Sequence, residues 1–98
     1  MSSAKIFKAL GDPLRMRILQ LLPDHPSCVD VCNVNELVAD LKMSQPNISH
    51  HLKILREAGL IHPVKMCSSI YYHRDRSELE KASRYLRDIS TRKTKRKP

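Results

Sequence analysis

A chain of 98 residues is long enough for one hydrophobic core and too short for a second one. Hydrophobic residues make up 41% and charged residues 29%, with only two glycines, which excludes collagen-like and low-complexity sequences and favours a helix-rich globular fold. Eighteen Lys and Arg against ten Asp and Glu give a net charge of +8, which indicates a polyanionic partner.

The basic charge is concentrated at the C-terminal end. Residues 91–98 contain five of the eighteen basic residues and no acid, so the other thirteen exceed the ten acids by only three. We therefore predict one domain in residues 1–90 and a disordered basic tail in residues 91–98, which either is simply solvated or adds sequence-independent affinity for phosphate. No apolar stretch approaches the roughly 20 residues of a membrane span, and no secretory signal is recognised, so we expect a cytoplasmic protein without membrane contact.

Four helices are predicted in the first half, because runs of apolar residues at helical spacing alternate with N-caps, prolines and a glycine. The runs occupy residues 3–10, 13–22, 34–41 and 45–57. Candidate N-caps precede the last three runs, at Asp12, Asn33 and Ser44. The last two helices are separated by only a few residues, and the fourth carries polar residues on its outward face, which is typical of a helix-turn-helix.

A β-hairpin and one more helix are predicted in the second half. Residues 60–66 and 70–72 favour strands, with residues 67–69 between them as a turn, so the hairpin has the place of a wing. Ser77 and Glu80 have the spacing of a capping box, and a narrow apolar seam follows, formed by Leu79, Ala82, Leu86 and Ile89. So narrow a seam indicates packing on a partner subunit. The predicted fold is mainly α with a small hairpin, a winged helix-turn-helix in the order α-α-α-α-β-β-α.

Three segments resemble the ArsR/SmtB family of winged-helix transcriptional repressors of bacteria and archaea. They are residues 8–19 (KALGDPLRMRIL), residues 44–60 (SQPNISHHLKILREAGL) and the wing pair Tyr71 and Tyr72. The resemblance extends from about residue 4 to residue 89. It implies a homodimer, formed through the first and last helices, that represses an operon and leaves its operator when an inducer binds.

The fourth helix is the predicted reader of DNA. Residues 42–56 contain three Lys or Arg, two His and no acid, so this segment presents unopposed positive charge to phosphate. Near its N-terminal end polar side chains suit base edges, and we expect contacts from Ser44, Gln45, Asn47, Ser49 and His50, with Gln45 and His50 as the principal base readers. Lys53 and Arg56 suit the phosphate backbone. Lys65 and Arg74 flank the hairpin and are expected either at a minor groove or phosphate or in solvent.

Two copies of this helix are expected to act together, since one buries too little surface for tight specific binding. Two helices related by a two-fold axis read half-sites about 34 Å apart, which is one turn of DNA. The expected partners are therefore a second copy of the chain and double-stranded DNA that carries an inverted-repeat operator.

Three cysteines bear on the identity of the inducer. Their odd number, without an export signal, argues against a disulfide framework. Cys28 and Cys32 are four residues apart, and three interpretations of them stay open. They bind a metal or metalloid ion such as arsenite, with either Cys67 or a ligand from the second subunit as a third thiolate; or an oxidant or persulfide modifies them; or they are ordinary free thiols. Cys67 itself is either part of this site or an incidental exposed thiol at the turn.

A zinc site of the family's usual kind is not expected. Where metal-sensing members of the family carry thiols in the third helix, this chain has Asn33, Asn35 and Val38. The last helix contains no His or Cys either. We expect no required cofactor, only an inducer.

Catalysis is not expected, because the sequence shows no nucleophile-base pair, no glycine-rich phosphate loop and no paired carboxylates. The leading hypothesis is a sequence-specific DNA-binding repressor that responds to a thiol-reactive inducer. One alternative is a regulator of the same kind without cysteine-based sensing. Others are a nucleic-acid-binding protein without sequence preference, dominated by its basic tail, and a metal-buffering or redox-active protein that uses the helix-turn-helix as scaffold.

Overall fold

The structure, a computed structural model, describes residues 3–27 and 33–93. Helices and strands follow in the order α1 (Ser3–Leu10), α2 (Pro13–Leu21), α3 (Val34–Leu41), α4 (Gln45–Glu57), β1 (Ile61–Met66), β2 (Ser69–Arg74) and α5 (Arg76–Thr91). This order confirms the predicted winged helix-turn-helix. Among the described helices, none is both long enough and apolar enough to cross a membrane.

The predicted N-caps begin α2, α3 and α4. The side chains of Asp12, Asn33 and Ser44 accept backbone N–H groups two or three residues further on, at 2.8, 2.8 and 3.3 Å. Each bond satisfies a backbone donor that the first turn of a helix leaves without a partner. Proline stands in the first turn of α2 and of α4, where no intrahelical bond needs its missing N–H.

The last helix begins earlier than predicted. Its N-cap is Asp75 rather than Ser77, and the Asp75 carboxylate accepts the N–H of Glu78 at 2.9 Å. Both candidate caps have a Glu three residues later, but Asp75 is also held by its own backbone N–H, which donates to the carbonyl of Leu60 at 2.8 Å. A tertiary hydrogen bond therefore selects between two caps of equal local quality.

One hydrophobic core joins the helices to the hairpin. Its largest fully buried side chains are Ile18, Leu22, Leu37, Ile48, Leu55, Leu60 and Ile61. α4 passes directly into the hairpin: the N–H of Leu60 donates to the carbonyl of Leu55 at 3.0 Å, and the N–H of Gly59 to that of Arg56 at 2.9 Å. Gly59 has φ 79°, so this is a Schellman motif in which glycine takes the left-handed conformation.

The hairpin pairs two antiparallel strands, with Lys65 opposite Ile70. Cys67 and Ser68 form the turn and have φ of 52° and 67°, as a type I′ turn requires. β2 begins at Ser69, which the sequence pattern assigned to the turn, while α2 ends one residue short of the predicted Leu22. The base of the hairpin is fixed to the end of α2, because the N–H of Arg74 donates to the carbonyl of Pro23 at 2.8 Å.

Candidate nucleic-acid interface

The helix-turn-helix consists of α3, a short turn and α4. Lys42 ends α3 in the left-handed conformation, with φ 55°, and its N–H donates to the carbonyl of Val38 at 2.9 Å. Met43 is half-buried, and Ser44 then caps α4. The chain therefore changes direction within two residues, which positions α4 across the end of α3.

α4 presents a polar face because its opposite face lies in the core. Ile48, Leu52 and Leu55 are at most 2% exposed, and their helical spacing fixes the rotation of α4 about its axis. The exposed residues of the helix include those predicted to meet DNA: Gln45, Asn47, Ser49, His50, Lys53 and Arg56. No acid precedes Glu57 on this helix. Such a surface suits a major groove, with donors and acceptors at base edges and cations against phosphates.

The two basic residues that flank the hairpin have different surroundings. Lys65 is exposed on β1. Arg74 is half-buried at the base of β2, and its guanidinium donates to the carbonyl of Leu22 and, at 3.5 Å, to that of Leu19. Cations near the last carbonyls of a helix stabilise its end, so Arg74 acts on the end of α2.

A crevice joins the start of α4 to the wing. It has a volume of about 210 Å³ and is lined by Asn33, Val34, Asn35, Gln45, Ser69 and Ile70. Gln45, a predicted base reader, thus lies beside the hairpin, and the Ile70 side chain is 52% exposed there. Sequence reasoning missed Asn35 and Ile70 as neighbours of this surface, because strand propensity does not say which face of a hairpin meets which helix.

His50 and His51 are adjacent in α4 but differ in surroundings. His50 is exposed, whereas His51 is half-buried and its Nδ1 lies 3.0 Å from Nη1 of Arg15 in α2. Partial burial lowers the pKa of His51 below its usual value, and the positive charges of Arg15 and His50 act in the same direction, against the opposing carboxylate of Asp12. Sequence patterns do not predict this contact, because it joins residues 36 positions apart.

An apolar surface lies where α5 crosses α1 and α2. The rings of Phe7 and Tyr85 have centroids 5.6 Å apart, and a groove of about 570 Å³ runs between the three helices. Along the predicted seam of α5, Leu79 and Ala82 pack on the core, but Leu86 and Ile89 are each 54% exposed. The C-terminal half of α5 therefore leaves its apolar face uncovered in a single chain.

One of the three cysteines lies in the part of the chain that the structure describes. Cys67 is exposed at the turn of the hairpin, and Cys28 and Cys32 lie outside the described residues. Within residues 3–27 and 33–93, no three His, Cys, Asp or Glu side chains are grouped so that they could hold a metal ion. Because α3 and α5 contain no thiol or imidazole, their residues do not fit a bound soft metal.

Comparison with known proteins agrees with this architecture. A family model described as bacterial regulatory protein, arsR family, matches residues 12–62. An uncharacterised helix-turn-helix transcriptional regulator of Methanocaldococcus jannaschii is 44% identical over 72% of the chain and 75% of its own length. The arsenical resistance operon repressor of Staphylococcus xylosus is 34% identical over 88% of the chain and 78% of its own length.

Solved structures share the fold. An ArsR-like transcriptional regulator from Rhodococcus is 32% identical, with a TM-score of 0.76 over 90% of this chain and 78% of its own. A homodimeric winged helix-turn-helix domain from Mycobacterium bovis, at 21% identity, has a TM-score of 0.66 over 89% of this chain and 76% of its own. The family model covers the second helix, the helix-turn-helix and the start of the wing. The chain belongs to the ArsR family of helix-turn-helix transcriptional regulators, which is not a class of enzymes.

Proposed function

We propose that the chain is a homodimeric repressor that binds an inverted-repeat operator by inserting α4 of each copy into the major groove. The observation that carries the proposal is the exposed polar face of α4, which is free of acids up to Glu57 and is backed by three buried residues. Repression is supported by relatives that bear that activity in their names, the Staphylococcus xylosus protein and the SdpR repressor of Bacillus subtilis, which is 31% identical over 83% of the chain and 84% of its own length.

On the proposed surface, Gln45 and His50 read bases, and Asn47 and Ser49 support them from neighbouring positions. Lys53, Arg56 and Lys65 contact phosphate. Ser44 has its hydroxyl engaged as the cap of α4, so its contribution is to fix the start of the helix. Arg74 is left out of the surface, because its guanidinium donates to carbonyls at the end of α2.

The base-reading roles are tested with duplexes enriched by the full-length chain from a randomised library, compared with scrambled duplexes of equal length. We expect Gln45→Ala and His50→Ala to lower the preference for enriched duplex about tenfold, since one good base contact contributes about 1–3 kcal/mol of discrimination. Lys53→Ala should weaken both duplexes equally and reduce the salt slope by about one ion. Lys81→Ala, the same change on exposed α5, is the matched control and should change neither quantity. Equal losses on both duplexes for all variants would contradict the assigned roles.

Dimerisation is proposed through α1 and α5, where Tyr85, Leu86 and Ile89 are about half exposed. A chain of this size gains stability by burying such a face on a second copy. We expect Leu86→Glu to give a monomer in sedimentation and to lose operator affinity. The matched control is Ile70→Glu, which places the same charge on an equally exposed apolar residue of the wing and should leave the dimer intact.

A nucleic-acid-binding protein without sequence preference is the second candidate, favoured by the basic residues 91–98. Removal of residues 94–98 separates the two proposals. A specific repressor keeps its preference for enriched duplex and loses some affinity for all DNA. A non-specific binder shows no preference at the outset and loses most of its affinity.

The inducer is proposed to be thiol-reactive, either a metal or metalloid ion or an oxidant, and to act at Cys28 and Cys32. What supports this is the pair of thiols four residues apart in the segment that leads into α3. The test measures whether arsenite, zinc or a polysulfide releases the protein from duplex DNA. It compares the wild type with the double variant Cys28→Ser/Cys32→Ser and with the single variant Cys67→Ser. Loss of release in the double variant alone supports the proposal, and unchanged release refutes it.

A further inference from the structure

Arg15 connects three helices through one side chain. It lies on α2, and its Nε donates to the carbonyl of Ala9 at 2.5 Å, while Nη2 donates to that of Lys8 at 3.4 Å. Both carbonyls belong to the last turn of α1, where helical carbonyls lack the N–H partners of the helix interior, although that of Lys8 also accepts the N–H of Gly11 at 3.2 Å. The third contact is that of Nη1 with Nδ1 of His51, at 3.0 Å, in the middle of α4. One guanidinium therefore ties the end of α1 to the helix that faces DNA.

The chemistry of this contact fixes the protonation state of His51. Arginine carries only donors and stays charged at all physiological pH values, so Nδ1 of His51 must accept with its lone pair. The ring is then neutral and its proton sits on Nε2. A proton on Nδ1 would place the N–H donor of His51 opposite the N–H donor of Arg15, and the positive imidazolium next to the positive guanidinium. The hydrogen bond from Arg15 to Nδ1 therefore requires a neutral His51.

The charged groups around His51 leave Arg15 as its hydrogen-bonding partner. Asp12, at the start of α2, acts on the ring through its charge, and its Oδ1 accepts the N–H groups of Leu14 and Arg15. On α4 the neighbouring charge is His50, whose ring centroid lies 5.4 Å away. An adjoining cleft of about 300 Å³ between α1 and α4 is lined by Lys5, Lys8, Arg15, Ile54 and Glu57, so two further cations and one carboxylate lie in the neighbouring region.

We propose that Arg15 is a positioning residue that holds α4 in its DNA-binding orientation through neutral His51, and that protonation of His51 releases α4 and weakens operator binding. The proposal rests on the proposed function. α1 also carries Phe7, which contacts Tyr85 on the apolar face assigned to dimerisation. The link through Arg15 therefore joins α4 to the surface on which a second copy is proposed to pack, in addition to the buried residues of α4. The depressed pKa of His51 agrees with a site that favours the neutral ring.

The experiment measures dissociation constants for enriched and scrambled duplexes from about pH 7.5 to about pH 5.5, a range in which an imidazole titrates and phosphodiesters do not. We expect the wild-type preference for enriched duplex to fall about tenfold toward acid, as loss of a hydrogen bond to a charged group implies. His51→Asn places an amide oxygen near the position of Nδ1 that accepts from Arg15 without titrating, and its preference should change less than about twofold.

His50→Asn is the matched control, because it makes the same change on the adjacent residue of α4. Its preference is lower at every pH but should fall toward acid at least as far as that of the wild type. Arg15→Lys, whose donors all lie on one nitrogen and cannot reach three acceptors spread around a planar guanidinium, should lower the preference at every pH, and circular dichroism at each pH verifies that the variants are folded.

Either of two results would overturn the proposal: a wild-type preference that does not fall toward acid, or an equal fall in wild type and His51→Asn. An absence of preference at about pH 7.5 would refute the proposed function instead, so the two failures are distinguishable. The experiment also distinguishes the proposal from a simple increase in positive charge at acid pH. Protonation without movement of α4 raises the affinity for scrambled and enriched duplex alike and leaves the preference unchanged.

Discussion

Asp75 joins the wing to the last helix, and its replacement gives a measurable prediction. The carboxylate accepts the N–H of Glu78 at 2.9 Å and lies 2.7 Å from Nε2 of His62 on β1. Asp75→Ala removes an N-cap, which costs about 1 kcal/mol, together with a contact to a half-exposed histidine that contributes at most about 1 kcal/mol. We expect the free energy of unfolding to fall by about 1–2 kcal/mol at neutral pH. Asp75→Asn keeps an acceptor for the cap, so its free energy of unfolding should fall by about half as much as that of Asp75→Ala.

The pH dependence follows from the same contacts. The hydrogen bond with His62 lowers the pKa of Asp75 below its usual value of 3.8, and the Glu78 N–H adds to the effect. A carboxyl whose pKa is lower in the folded state stabilises the fold above the pKa of the unfolded chain, and this stabilisation is lost as the pH falls through the folded-state pKa. The difference between wild type and Asp75→Asn should therefore be present at neutral pH and vanish at acid pH.

The assay is urea unfolding followed by circular dichroism at one fixed protein concentration, because the stability of a dimer depends on concentration. The control is Asp88→Ala, which removes an exposed carboxylate of the same helix that pairs with Arg92 and should change the unfolding free energy by less than about 0.5 kcal/mol. The reasoning fails if Asp75→Ala is as stable as wild type. It also fails if Asp75→Asn remains less stable than wild type at a pH below the pKa of the Asp75 carboxyl in the folded wild type.

Three further substitutions test the packing of α4 and the wing. Leu55→Ala should lower the free energy of unfolding by about 2–5 kcal/mol in urea titrations, since Leu55 is 0% exposed beneath α4. Gly59→Ala should cost about 1–2 kcal/mol in the same assay, because its φ of 79° strains any residue with a Cβ, and full stability would argue against the Schellman turn. Ser68→Gly should instead stabilise the wing by roughly 0.5–1 kcal/mol and raise the melting temperature, because Ser68 has φ 67° in an exposed turn; a lower melting temperature would refute this.

Local chemistry predicted most of the fold. N-caps followed by apolar residues at helical spacing gave α2, α3 and α4 to within a residue, because a cap and an amphipathic stripe act over a few neighbouring positions. The start of α5 was misplaced, since Ser77 with Glu80 and Asp75 with Glu78 have the same spacing. The choice between them depends on the carbonyl of Leu60, and sequence spacing carries no information about such a distant partner.

The candidate site was predictable only in part, for a related reason. Exposure of the polar face of α4 follows from the periodicity of its buried residues, so those positions could be found from the sequence. Arg74 was expected either at DNA or in solvent because it is basic and flanks the hairpin, and neither alternative anticipated that its guanidinium donates to carbonyls more than fifty residues earlier in the chain. Arg15 was overlooked because its partners lie on two other helices.

The position of α1 connects the proposed dimer surface with the helix proposed to read DNA. Its Phe7 contacts Tyr85 on the uncovered half of α5. Less than one turn further on, the carbonyl of Ala9 accepts a hydrogen bond from Arg15, and the same guanidinium contacts His51 of α4. α1 has only eight residues, too few to be stable by itself, so its orientation depends on the surfaces that pack on it. A second copy that covers Phe7 and Tyr85 would therefore stabilise α1, and through Arg15 it would also favour one orientation of α4. Operator affinity should then depend on how well the second copy packs on Phe7 and Tyr85, as well as on the presence of two copies of α4.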